Sequence, residues 1–293
     1  MLNSHVNQFF SSNIKKTLAF LKSFYIFIIL LFIYVPLLII LILSFAGQTN
    51  RGNINFNFSS LSLQNWMLLF TNDTFTNSLI NSLIISTVVV PTSVFIAIIT
   101  CFGVWNTNKR NELAIIGISK LSITIPEPIA AISLALLFTS TWVALGFNFG
   151  LITICLSHIS FCTPYAIIAI YPKMQKMNKN LIMASYDLGY SKTKTFFNVV
   201  IPYLLPAILS AIAITFAMSL DDFIITNLIN GSVQTISTAI YTTRKGIKAW
   251  VVTFGGFMVI ITIFVSMLVL IKNIRQNQNK KKLTLKKNYE NRA

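Results

Sequence analysis

The chain has 293 residues, 55% of them hydrophobic and only 10% charged, with a net charge of +16 and a mean hydropathy of +0.72. This composition excludes an ordinary soluble domain and, with several long apolar runs, predicts an all-α polytopic membrane protein. The basic excess does not point to nucleic acid, because Lys and Arg gather at the ends of apolar runs, where the positive-inside rule places them. Cys101, Cys155 and Cys162 lie in or beside apolar runs without a C-x-x-C; they read as buried thiols rather than a disulfide or a metal site.

Six apolar segments are expected between residues 24 and 271, behind a cytoplasmic N-terminal arm over 1–23. The first, 24–46, contains Pro36 and lacks a small-residue cleavage site, so it is an uncleaved span rather than a signal peptide. A polar stretch over 47–77 reads as a loop, with an interfacial helix near Trp66 over 63–70. The second span, 79–104, contains Pro91 and leads into a short basic loop with Lys109 and Arg110. The apolar region 113–145 is too long for one straight span at about 1.5 Å per residue. Pro126-Glu127-Pro128 interrupts it, which predicts a kink, or a short surface helix followed by a span over 121–145. The fourth span, 150–171, carries Pro164 and a lone His158, read as packed or helix-bridging. The fifth is 206–229 and the sixth 249–271. The tail 272–293 is basic and polar, and is expected to be without regular structure past about Asn277. Trp105, Trp142 and Trp250 fall at span ends, as interface anchors do.

Between the fourth and fifth spans, residues 172–205 read as two short helices and a turn. Leu181, Ala184 and Leu188 share one helical face. Gly189 sits where a left-handed cap ends a helix. Ser191 can cap the next helix, on which Phe196 with Val200 and Phe197 with Ile201 form an apolar side. Pro202 and Pro206 are expected to interrupt that helix. With both termini inside, nineteen of the 23 Lys and Arg fall on the inner side, leaving Arg51, Arg244, Lys245 and Lys248 outside. An amphipathic helix-turn-helix on that inner side is a docking surface for a soluble partner.

The chain has seven acidic residues. Asp221 and Asp222 stand inside an apolar run, where an ionisable group is costly unless it meets water or a partner. Thr215, Ser219, Asp222, Thr226 and Asn230 form one polar stripe at helical spacing. Asp222 is therefore expected to face a translocation path, roughly 24 Å along the span from Pro206, and Asp221 to be more structural. The competing reading has both aspartates paired with a basic residue of a neighbouring subunit or capping an unwound helix. Glu127, between two prolines, either lines the same path or begins a helix near the interface.

There is no G-x-x-x-x-G-K-[ST], H-E-x-x-H or G-x-S-x-G in the chain, so neither a nucleotide site nor a catalytic constellation is expected. Uphill transport would draw its energy from a partner or an ion gradient.

Residues 183–206 resemble the docking loop of permease subunits of binding-protein-dependent ABC importers, whose pattern is E-A-A-x-x-x-G with a proline thirteen residues after the glycine. Ala184, Ser185, Gly189 and Pro202 stand at those places, and Met183 replaces the glutamate. Residues 131–271 are similar, more narrowly, to permeases of spermidine/putrescine importers, above all in Ser219-Leu220-Asp221-Asp222-Phe223. The resemblance implies a multi-pass bacterial cell-membrane subunit of the type I importer fold that is not itself an enzyme. It further implies a second permease, a cytoplasmic ATPase dimer carrying the ATP and Mg that this chain does not bind, and an external polyamine-binding protein. Met183, Ala184, Ser185, Leu188, Gly189 and Pro202 would form the docking site; Asp222, Asp221, Ser219, Thr215, Thr226 and Glu127 would form the path. A related importer for ferric iron or thiamine, and an ATP-independent transporter or channel, remain the alternatives.

Overall fold

A computed structural model describes residues 24–56, 62–243 and 246–290, with side chains through Arg275. The arm over 1–23, Arg244 and Lys245, and the tail's side chains past Arg275 lie outside the described residues. Among the described residues the regular elements are helices, with two isolated antiparallel bridges, Gln48 to Ile54 and Asn53 to Lys248. Among the described residues five helices are long and apolar enough to cross a membrane, or six if one bent pair is taken as a single span. Contacts divide the chain into two units, one over 73–243 and one formed by residues up to 72 with those from 244 onward.

The larger unit holds α3 (Asp73–Trp105), α4 (Lys109–Thr124), α5 (Glu127–Phe138), α6 (Leu151–Gln175), α7 (Asn180–Asp187), α8 (Lys192–Thr195), α9 (Ile201–Asp221), α10 (Ile224–Ile229) and α11 (Ile236–Tyr241). α3 starts at Asp73, ahead of the expected 79, because Asp73 puts an acid in its first turn, where the helix dipole favours it. α3, α6 and α9 pack on one another. At one end of this trio Val94, Ala97, Cys101, Ala166, Ile170, Leu204 and Ala211 interlock. Toward the other, Ile85 and Val89 meet Ala131, Ile154, Cys162, Ile225 and Ile229. Two of the three thiols, Cys101 and Cys162, are fully buried there, as small apolar residues are.

The 113–145 region resolves into two helices bent by 103° at Pro126. The residue before a proline is driven out of the helical region, and Ile125 accordingly ends α4 with ψ 128°. Pro126 then supplies its carbonyl to the amides of Ile129 (2.9 Å) and Ala130 (3.2 Å) and starts α5. Glu127 stands first in that new helix. α5 runs into a wide turn over Thr139–Val143 that carries Trp142.

Two expectations about helix ends are corrected. Pro202 and Pro206 do not break the fifth span: the helix runs unbroken over Lys192–Asp221. A wide turn at Phe196–Val200 precedes Pro202, and its looser bonding accommodates the bond that the missing N–H cannot make. The span ends early instead, at Asp221, and a separate short α10 follows.

The smaller unit contains α1 (Phe24–Leu43), α2 (Gln64–Leu68) and the start of α12 (Ala249–Glu290). Trp66 stacks on Phe45 (5.4 Å) and meets Phe257 edge-on (6.5 Å). Gly256 lets α12 approach the end of α1: a Cβ there would lie 2.6 Å from the Ser44 Cβ. Such close contact through small residues is how helices pack in lipid, where exclusion from water provides no drive. None of α1's apolar stretch is fully buried within the chain, although Leu43 at its end packs on Ala46, Ile54 and Val252. The tail also departs from expectation, since α12 continues to Glu290; residues 272–290 contain neither Gly nor Pro to stop it.

Candidate functional site

The break after α9 is built around Asp222. Its amide donates the last helical bond, to the Met218 carbonyl (3.2 Å), and its ψ of 119° then turns the chain out of the helix. The carboxylate caps the restart: Oδ1 accepts from the Ile225 amide (3.3 Å), and Oδ2 accepts from the Thr226 amide (2.8 Å) and the Thr226 hydroxyl (2.6 Å). His158, projecting from α6, brings Nε2 to 3.2 Å from the same Oδ2 and to 3.0 Å from the Thr226 hydroxyl. Its Nδ1 lies 3.1 Å from the Ser219 hydroxyl. The Asp222 carbonyl accepts from Ser237 of α11 (2.6 Å). One residue thus joins α6, α9, α10 and α11.

The expected polar residues do not form one helical face, because the helix breaks at Asp222; four of the five are nevertheless gathered on the inner side, and Asn230 is only partly buried. Thr215, Ser219, Asp222 and Thr226 are all buried, Asp222 with 5% of its surface exposed and His158 with 1%. Buried polar groups are tolerated when bonded, and this set is. The Thr215 hydroxyl donates to the Ala211 carbonyl (2.8 Å), and the Ser86 hydroxyl on α3 lies 3.4 Å from that of Ser219.

Asp221 is turned the other way. Its side chain is exposed and, with the exposed Glu127 at the head of α5, lines a cavity of about 380 Å³. Phe161, Met218, Phe223, Ile224 and Tyr241 complete the wall, with Asp222 at its edge. Phe223 and Tyr241 stack face to face at 4.3 Å. Within the cavity, then, the two aspartates have the opposite exposure to that expected: helical periodicity separates them correctly but does not say which side of α9 is packed. Sequence reasoning missed Phe161, Phe223 and Tyr241. Only their closeness to the acids after folding marks them, because 161 and 241 are remote from 221 in the chain. Carboxylates among aromatic faces suit an organic cation, which both attract.

At the other end of the helix, the elbow forms as its residues predict. Gly189 has φ +80° and its amide donates to the Tyr186 carbonyl (2.9 Å), closing α7 with a left-handed cap. The Ser191 hydroxyl accepts from the Lys194 amide (3.3 Å) and opens α8. Ser185 and Thr195 join the two helices through a 2.7 Å bond between hydroxyls. Ile182, Phe196 and Val200 face the core, and Phe196 meets Phe102 edge-on. Leu181, Ala184 and Leu188 face outward, as does Met183, with Leu188 80% exposed. This leaves an open apolar row on the outer side of the elbow.

A family model described as the inner membrane component of binding-protein-dependent transport systems matches residues 73–277. The spermidine/putrescine transport system permease protein PotC homolog of Mycoplasma genitalium is 42% identical over 265 residues, covering 88% of this chain and 93% of that protein. The corresponding PotC homolog of Mycoplasma pneumoniae is 43% identical over 251 residues, covering 84% and 87%. Among solved structures, a bacterial ABC transporter involved in the import of the acidic polysaccharide alginate has a chain that aligns with a TM-score of 0.66 at 14% identity, covering 88% of this chain and 96% of that one. This last likeness is one of fold.

Proposed function

The chain belongs to the inner membrane components of binding-protein-dependent transport systems, and we propose that the solutes it passes are polyamines such as putrescine and spermidine. It is a multi-pass cell-membrane permease subunit of an ABC importer, a transporter rather than an enzyme. Its family implies a second permease, an ATPase and a substrate-binding protein as partners. The finer reading rests on one observation, the cavity where Asp221 and Glu127 stand among Phe161, Phe223 and Tyr241. A polyamine is a flexible chain of ammonium groups that must exchange water for other ligands to cross. Two open carboxylates replace part of that hydration and the aromatic faces replace more. Attraction of this strength still allows release, which conduction through a path requires. The names of the Mycoplasma relatives agree with this chemistry. The alginate transporter moves an acidic polymer with a similar fold, so the scaffold does not choose the solute.

In this reading the termini and the elbow face the cytoplasm. Met183, Ala184, Ser185, Leu188 and Gly189, with Pro202 starting the following helix, seat an ATPase dimer that holds ATP and Mg. Thr215, Ser219, Asp222 and Thr226 form the polar seam behind the path, and Asp221 and Glu127 meet the cargo.

The complete complex, reconstituted in liposomes with its binding protein, tests the reading. ATP-dependent uptake of radiolabelled putrescine is expected, and Asp221→Asn with Glu127→Gln should raise KM about tenfold, the loss of charge attraction at a partly solvated site. Uptake that is indifferent to both substitutions, or an absence of polyamine uptake, overturns it.

A further inference from the structure

We propose that His158 is a positioning residue that decides which carboxylates the cavity offers. By holding Asp222 in the helix break, it leaves Asp221 and Glu127 as the acids that a passing cation meets; that the cation is a polyamine rests on the function proposed above.

Asp222 has most of its acceptor capacity taken up within the subunit, and Glu127 stands close enough to interact with it. Oδ2 alone takes the Thr226 amide, the Thr226 hydroxyl and His158, and Oδ1 takes the Ile225 amide. The imidazole fits this task with its hydrogen on Nε2. Nε2–H is then shared between Asp222 and the Thr226 oxygen, while Nδ1 accepts from the Ser219 hydroxyl. Every polar atom of the ring is used, and the ring edge packs on Phe161, which lines the cavity. Of the contacts to the carboxylate, those from Thr226 and Ile225 belong to the local cap and would form in any such break. The contact from His158 is the one that crosses from α6. Without it the carboxylate keeps its cap but loses its bond to α6, beside a cavity that it already lines. A third carboxylate turned toward the cargo strengthens binding and slows release, so KM and kcat fall together.

The side chains that distinguish this role differ by one methylene. Asn at 158 reaches about as far as Nδ1 and keeps the Ser219 bond; Gln reaches about as far as Nε2 and keeps the Asp222 bond. The assembled complex in lipid nanodiscs is treated with a water-soluble carbodiimide and a small amine, and labelled carboxylates are located by mass spectrometry. In the unsubstituted protein Asp221 and Glu127 should label and Asp222 should not. His158→Asn should raise labelling of Asp222 about fivefold and lower both KM and kcat for putrescine about threefold, the signature of tightened ground-state binding. His158→Gln should resemble the unsubstituted protein, and adding Asp222→Asn to His158→Asn should restore KM. A merely structural role for His158 would not lower KM and would not be relieved by the second substitution. Should the Asn variant fail to assemble, His158→Gln decides: Asp222 left unlabelled with KM within about twofold supports the proposal, and labelling of Asp222 equal to that of Asp221 overturns it. Equal labelling of Asp222 and Asp221 in the unsubstituted protein, or identical behaviour of the Asn and Gln variants, also overturns it. Labelling requires no cargo, so the expected pattern in a complex that moves no polyamine would defeat the substrate assignment and leave His158 standing.

Discussion

The helix that ends at Asp221 joins two regions that invert the usual distribution of side chains in opposite senses. At the elbow, apolar groups are out: Leu181, Met183 and Leu188 are exposed. At the break, polar groups are in: His158, Ser219, Asp222 and Thr226 are buried. The first region is left uncovered by the chain itself, and on the function proposed above is covered by the ATPase; the second is satisfied by its own hydrogen bonds. The difference separates what the subunit borrows from what it carries. An exposed apolar row tolerates change in the isolated chain and fails in assembly. A closed polar set fails in the chain itself, because removing one member strands the others.

Substitutions can break this contrast. The largest effect is expected for Leu188→Asp, which places a charge on the open row. Loss of one well-buried apolar anchor at an interface is worth about 2 kcal/mol, roughly thirtyfold in affinity. Capture of the ATPase by the purified permease should weaken accordingly, while the melting temperature of the isolated chain holds. Thr226→Val should do the reverse. It removes the donor 2.6 Å from Asp222 and costs about 1.5 kcal/mol of stability, read as a lowered melting temperature in detergent with ATPase capture intact. The smallest effect, about 1 kcal/mol, is expected for Ser185→Ala. Ser185 is a buried polar residue within the elbow, bonded to Thr195. It sharpens the contrast, since chain melting and ATPase capture should both fall a little, as the two short helices lose their mutual register. If Leu188→Asp instead lowers chain stability as Thr226→Val does, the row is not a free face.

Much of this was legible in the residues. Gly189 and Ser191 announce the elbow because backbone caps are local: a left-handed turn and a hydroxyl acceptor are specified by the residue that makes them. Pro126 announces the bend for the same reason. The polar residues up to Ser219 were legible as one helical side, since period 3.6 is a property of the helix alone; the break at Asp222 ends that period. Which way that side faces was not legible, because that depends on α6 and α3 arriving beside it with His158 and Ser86. Pro202 misled because a neighbouring wide turn absorbed its missing donor, an accommodation spread over five residues that no single one of them signals; Pro206 is carried inside the helix without breaking it. The early end of the span at Asp221 was weighed only as an alternative, because a carboxylate that caps a restart and one that faces a channel look the same in a sequence.

The wide turn at Phe196–Val200 has a mechanical consequence. From Ile201 to Asp221 the backbone is a continuous 21-residue helix with Pro206 inside it, about 32 Å long at 1.5 Å per residue. The looser coil lies between that helix and the elbow, so compliance is concentrated near the docking end and stiffness near the carboxylates. A tilt imposed below the loose coil is partly absorbed there. Whatever tilt passes it arrives at the far tip undiminished, where a few degrees over that length become a displacement of an ångström or more.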